Sequence, residues 1–86
     1  MEEITQGTLL QTYDYPREVV RAALSHNAAA VILAHNHPSG ATLPSDADIA
    51  LTTHLKQALA MVVVTTLDRL IVAGDNVASF AELGLM

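Results

Sequence analysis

The 86 residues are enough for one small domain, spanning 1–86, and leave no room for a second. Apolar residues make up 51% of the chain and charged residues 15%, which excludes an intrinsically disordered protein. Four basic residues against nine acidic ones give a net charge of −5, so direct nucleic-acid binding is not expected, because DNA-coating domains need a basic face.

Features that are absent from the sequence indicate the cellular compartment and limit what can stabilise the fold. There is no cysteine, so no disulfide strengthens the fold, and a metal or a partner chain remains possible. The longest apolar runs have seven residues, against about twenty for a membrane span. The start, Met1 to Ile4, has no basic and apolar signal segment. We therefore expect a soluble, cytoplasmic protein that does not contact a membrane.

The first half of the chain predicts a strand, a helix and a second strand. Residues 3–12 are typical of a strand, which Gly7 interrupts with a bulge or a close backbone approach. Pro16 is suited to the first helical position, and the following residues 17–26 are amphipathic. The continuous apolar run 29–34 indicates a strand buried on both faces.

The second half predicts another helix and two more strands after a loop at 38–44. Ser45 begins the helix, and Ser79 caps a last helical turn at 80–83. Strands are predicted at 61–67 and 69–73, and a turn at 74–76 follows the second of them. The resulting order β-α-β-α-β-β predicts the α/β class with a mixed sheet and two main helices.

Three polar side chains around the first loop have the chemistry of metal ligands. His35 and His37 come at the exit of the buried strand, and residues two apart on an extended backbone point to the same side. Asp48 falls in the first turn of the next helix. Two imidazoles and one carboxylate form a hydrolytic zinc set with one position left for water. The same set also holds Fe(II) in some oxygenases, an alternative that we consider weaker.

A purely structural interpretation exists for two of the polar residues in this region. Ser45 and Asp48 are three residues apart at the start of a helix, which matches a capping box with aspartate in place of glutamate. A cap does not explain the two histidines beside an apolar strand. We therefore predict a metal site that includes Asp48.

The spacing His35-x-His37, seven residues, Ser45-x-x-Asp48 resembles the JAMM (MPN-plus) metalloprotease motif. The fuller run from His35 to Gly40 is similar to that of the RadC family within this superfamily. Further segments that resemble RadC proteins lie at 15–20, 27–34, 67–72 and 79–85, so the resemblance extends over almost the whole chain.

The resemblance implies a cytidine-deaminase-like fold, truncated at its N-terminus, that holds one Zn²⁺ through His35, His37 and Asp48. In JAMM enzymes the serine of the motif contacts the attacking water or the developing oxyanion, and Ser45 takes that catalytic position here. The implied reaction is hydrolysis of a peptide or isopeptide bond by a metal-activated water.

Two departures from the family pattern affect these expectations. The family's general-base glutamate lies upstream of the region that matches residue 1, and Glu2 and Glu3 match a later strand. Arg69 stands where family members carry histidine, which changes either a surface or the rim of the site. Without the preceding hairpin, the strand at 3–12 would also have an exposed edge, so we expect a homo-oligomer that pairs there.

Three functional hypotheses follow. The first is a zinc-dependent metallopeptidase, although the missing glutamate makes enzymatic activity of this chain uncertain, since a general base is worth about 10²–10⁴-fold. The second is a catalytically inactive RadC-like fragment that keeps a structural metal or acts through protein contacts. The third is a protein associated with DNA repair, which the net charge of −5 disfavours as a direct DNA binder.

Overall fold

A computed structural model of the chain describes residues 3–4, 7–11, 16–37 and 42–86. The described residues form five strands and two helices, so the predicted α/β class with two main helices is confirmed. In chain order the elements are β1 (Glu3–Ile4), β2 (Gly7–Gln11), α1 (Pro16–Ser25), β3 (Ala30–Asn36), α2 (Asp46–Met61), β4 (Thr65–Ala73) and β5 (Asn76–Ser79).

The five strands form one mixed sheet in the order β1-β2-β3-β4-β5. The three central strands β2, β3 and β4 are parallel, while β1 and β5 pair antiparallel at the two edges. Each parallel strand is followed in the chain by its neighbour in the sheet. Because such connections are right-handed, the helices α1 and α2 that join these strands lie on the same face of the sheet. Accordingly α1 and α2 contact each other.

The hydrophobic core lies between this helical layer and the sheet. Its fully or nearly fully buried members are Leu10, Val19, Ala23, Val31, Leu33, Leu55, Leu59 and Val64. Along β3, Val31 and Leu33 are buried, while the alternate residues Ile32 and Ala34 are only half-buried. The prediction that this strand is buried on both faces is therefore wrong, because both helices cover the same face.

The predicted single strand at 3–12 is also wrong, because its residues form two paired strands. Glu3 lies opposite Thr8 and Ile4 lies opposite Gly7, so Gly7 begins β2 rather than marking a bulge within one strand. The β1 pairing covers the first part of the β2 edge that we expected to be open. A short edge strand limits pairing with other chains, and the predicted homo-oligomer stays a prediction.

The predicted strand at 61–67 is wrong at its start. The helix α2 continues to Met61, and Val62 to Val64 form a turn in which Val64 N donates to Leu59 O (2.9 Å). Val63 has φ 61°, an uncommon conformation for a β-branched residue, and its side chain is 88% exposed. This turn buries Val64 against the core, which outweighs the strand propensity of the valines.

The final part of the chain is a hairpin followed by a capped turn. The strands predicted at 61–67 and 69–73 merge into the single strand β4, and the predicted turn at 74–76 ends where β5 begins. Ser79 Oγ accepts from Glu82 N (3.2 Å), so the predicted cap is confirmed. Phe80, next to it, is completely buried.

Neither helix in the described ranges has the length and apolar character needed to cross a bilayer. The cytoplasmic location stays a prediction.

Candidate metal centre

The predicted ligands lie at the edge of the sheet where the parallel strands end. His35 is the penultimate residue of β3 and His37 follows the strand, while Asp48 is in the first turn of α2. Ligand sites of α/β sheets lie outside the carboxyl ends of the strands. The three residues are therefore located where this architecture presents functional groups.

Pairing with β4 keeps the two histidines on an extended backbone. His35 lies opposite Ile71, and His37 N donates to Val72 O (2.8 Å) beyond the end of the strand. The side-chain alternation of a strand then directs both rings to one side. Their centroids are 5.6 Å apart, with an angle of 67° between the ring planes. The prediction that the imidazoles share one space is consistent with this geometry.

The start of α2 brings Asp48 to the second of these rings. Asp48 Oδ2 lies 3.9 Å from His37 Nε2, and the two side chains are 18% and 24% exposed. His37 therefore lies between the other two predicted ligands, beside the ring of His35 and within ion-pair distance of Asp48. All three side chains are half-buried, so they are shielded from solvent but not enclosed by the core.

The structure also contains the capping box. Ser45 Oγ accepts from Asp48 N, and Asp48 Oδ2 accepts from Ser45 N, each at 3.1 Å. Ser45 is extended, with φ −85° and ψ 166°, as an N-cap residue should be. The two cap bonds occupy one acceptor site on the Ser45 hydroxyl and one on the Asp48 carboxylate, and both groups keep further lone pairs. Capping and a functional role are therefore compatible for both residues.

The surroundings of Asp48 favour its ionised form. Burial raises the pKa of this carboxyl, but the hydrogen bonds from Ser45 and the charges of Arg69 and His37 lower it, and the net pKa is below its ordinary value. An ionised carboxylate is the form that binds a metal ion.

The donor set suits zinc, but the three side chains do not converge on one point. A tetrahedral ion with bonds of about 2.0–2.1 Å holds its ligand atoms about 3.3 Å apart, somewhat closer than the 3.9 Å between His37 and Asp48. Within the described ranges, no group of three His, Cys, Asp or Glu side chains is placed to hold a metal ion. The ligand roles of His35, His37 and Asp48, and the catalytic role of Ser45, therefore stay predictions.

Arg69 is buried in the fold rather than exposed on a surface or a rim. It pairs with Leu33 across the β3–β4 ladder, and such partners project from the same face of a sheet. Its side chain is 1% exposed, and its guanidinium carbon lies 5.7 Å from the centre of the Phe80 ring. Burial lowers the pKa of Arg69 and the charge of Asp48 opposes that shift. The sequence identified Arg69 as unusual, but only the structure shows that its side chain is buried.

The comparisons with known proteins agree with this architecture. The family model for the RadC-like JAB domain matches residues 1–85. A UPF0758 protein of Bordetella petrii is 62% identical over 84 residues, which cover 98% of this chain and 37% of that protein.

Two further UPF0758 proteins show the same relationship. The one from Dechloromonas aromatica is 66% identical over 86 residues, and the one from Nitrosospira multiformis is 64% identical over 85 residues. Each match covers 99% of this chain and 38% of the relative, so the chain spans little more than a third of the length of these proteins. With this sequence similarity and the strand-end site, the chain belongs to the RadC family of JAB domains.

Proposed function

We propose that this chain carries the metal site of a zinc-dependent hydrolase that cleaves an amide or isopeptide bond in a peptide substrate. His35, His37 and Asp48 would hold the zinc. The observation that supports this best is the position of His37 between the ring of His35 and the carboxylate of Asp48, 3.9 Å from its Oδ2. The family membership supports the JAMM type of chemistry.

Each residue would have a distinct task. Zinc bound at this edge would supply positive charge that polarises a carbonyl group and lowers the pKa of a water molecule. Asp48 is held ionised by the capping hydrogen bonds and by Arg69, so it would bind without first losing a proton. The hydroxyl of Ser45, whose hydrogen bond with the Asp48 side chain helps to lower the pKa of that carboxyl, would donate to the oxyanion of the substrate instead.

A non-catalytic role is the second candidate, and the capping box is the observation that favours it. Ser45 and Asp48 already stabilise the start of α2 without any metal. The chain would then keep a metal, or this cap alone, as a structural feature, and act through protein contacts. Because the chain spans only 37–38% of its relatives, the activity of the longer proteins would then reside partly in their other segments.

Metal content tests the site first. We expect close to one zinc per chain in the purified protein by elemental analysis, and its loss in His37→Ala. The control is His54→Ala, which removes an exposed histidine of α2 far along the same helix. Equal zinc content in the wild-type protein and His37→Ala would contradict the assigned ligands.

Activity separates the two candidates. Zinc-loaded protein is compared with chelator-treated protein on a peptide library and on isopeptide-linked substrates. We expect cleavage only with zinc, reduced about 10²–10³-fold in Ser45→Ala, the usual cost of losing one oxyanion donor. Zinc binding without any cleavage above the chelated control would refute the hydrolase and leave the structural metal.

A further inference from the structure

We propose that two copies of this chain associate through the face of the sheet that α1 and α2 leave uncovered. Strand register and side-chain alternation place six apolar side chains on this uncovered face, namely Leu9, Ile32, Ala34, Leu70, Val72 and Val77. The interface lies on a face of the sheet rather than along an edge strand, and it is independent of the proposed metal site.

The two faces of the sheet differ in how far their side chains are buried. On the face beneath the helices, Leu33 and Ile71 are completely buried. On the uncovered face of the same two strands, Ala34 and Leu70 are only half-buried, and Val77 of β5 is 60% exposed. The strands of a parallel sheet are normally covered on both faces. A contiguous apolar surface that stays open in this way is typical of an interaction site.

Charge indicates which kind of partner fits this face. The strands β2 to β5 contain one acidic and one basic residue, Asp68 and Arg69, so the whole net charge of −5 lies outside them. Arg69 projects from the helix-covered face with its partner Leu33. The carboxylate of Asp68 already accepts three hydrogen bonds. In these strands, the uncovered face therefore has little to attract a charged partner.

A second copy of the chain meets these conditions. In a two-fold dimer the same patch faces itself, so an apolar face that presents little charge is complementary to its own copy. Copies that each carry a net charge of −5 repel one another, and contact through these strands avoids most of that repulsion. Two sheets pack face to face about 10 Å apart, as they do in a β-sandwich.

The size of the uncovered face determines how strong the dimer is. Four strands about 4.8 Å apart, with about seven residues of about 3.3 Å each, cover about 450 Å² per copy. The total of about 900 Å² lies in the range of weak interfaces, so we expect a dissociation constant on the order of 10–100 µM. The dimer leaves the predicted ligands uncovered, because His35 lies opposite Ile71 on the helix-covered face.

The test is sedimentation equilibrium of wild-type protein, Val72→Glu and Met61→Glu from about 5 to about 500 µM. Val72 lies on the inner strand β4, so its replacement changes the uncovered face and no edge strand. Met61 is the matched control, because its side chain is 85% exposed at the end of α2. We expect a monomer–dimer equilibrium in wild type and Met61→Glu. Dimerisation should weaken at least about tenfold in Val72→Glu, because a charge buried at an interface without a partner is costly.

Each outcome has a defined meaning. Urea unfolding first confirms that the variants are folded, and Val77→Glu replaces Val72→Glu if the latter is not. A wild-type monomer at every concentration would overturn the dimer and favour a segment of the longer relatives as the partner of this face. Dimers that persist unchanged in Val72→Glu would place the interface at a sheet edge instead. Equal weakening in Met61→Glu, or open-ended aggregation, would show association without a defined interface and would also overturn the proposal.

Discussion

Two serine–aspartate pairs among the described residues use their hydrogen-bonding capacity differently. At the start of α2, the hydrogen bonds that Asp48 receives from the described residues come from Ser45. After the β4–β5 hairpin, Asp68 accepts from three residues, namely Arg69 N (2.7 Å), Ala81 N (3.0 Å) and the Ser79 hydroxyl. The first pair therefore keeps capacity for another partner, and the second has little left.

This difference separates a structural carboxylate from a candidate functional one. Asp68 joins β4 to the turn beyond β5, where Ser79 also caps the last turn by accepting from Glu82 N. The Oδ2 atom of Asp48, which accepts from Ser45 N, instead also lies 3.9 Å from His37 Nε2 at the open end of the sheet. Both pairs consist of a serine and an aspartate, so residue type does not distinguish them. The pair that can still accept hydrogen bonds or bind a ligand is the one that can take part in chemistry.

Replacing Asp68 should cause the largest loss of stability. Asp68→Ala removes an acceptor shared by three donors, two of which are the backbone N–H groups of Arg69 and Ala81. We expect the free energy of unfolding to fall by about 3 kcal/mol, since bonds to charged groups contribute about 1.5–3 kcal/mol each and are not additive. Urea denaturation measures it.

The matched control for this variant is Asp75→Ala, which removes an exposed carboxylate in the turn of the same hairpin. Its effect should stay within about 0.5 kcal/mol. If Asp68→Ala is no more destabilising than Asp75→Ala, the structural role of the Asp68 pair is wrong.

Breaking the capping box should have an intermediate effect. Ser45→Ala removes the acceptor for Asp48 N and should cost about 1 kcal/mol of unfolding free energy, the usual value of an N-cap. Ser45→Thr keeps a hydroxyl and should cost less. A loss in Ser45→Ala as large as that in Asp68→Ala would show that both pairs are structural to the same degree, and the contrast between them would fail.

The smallest effect concerns the pH dependence of stability. The folded-state pKa of Asp48 lies below its unfolded value, so its ionisation stabilises the fold above the unfolded pKa of about 3.9 and this contribution is lost as the pH falls through the folded pKa. The stability difference between wild type and Asp48→Asn should therefore shrink from pH 5 to pH 3. The control is Asp46→Asn, an exposed residue of the same turn. A difference that grows on acidification would contradict the lowered pKa.

Local patterns in the sequence were sufficient for several features of the fold and site. The apolar run before His35 predicted β3, Pro16 predicted the start of α1, and the Ser45–Asp48 spacing predicted the capping box. Each of these depends on neighbouring residues only. The same reasoning failed at Val62 to Val64, where a strand-forming run becomes a turn because the end of α2 must bury Val64.

Features that depend on distant parts of the chain were beyond the reach of local patterns. The hydrogen bonds of Asp68 could not be predicted from the sequence, because its partners Ser79 and Ala81 are more than ten residues away along the chain. It also gave no means of deciding whether Arg69 belongs to a surface or to the site.

The sequence by itself determined the α/β class, the family and the candidate ligands, because periodicity and motif spacing are local properties. The tertiary structure decided which face of the sheet the helices cover, how β1 pairs with β2, and that the side chain of Arg69 is buried. These outcomes depend on the register of β3 against β4 and on the packing of α2. Both are set by burying the whole apolar surface at once, which no short segment specifies alone.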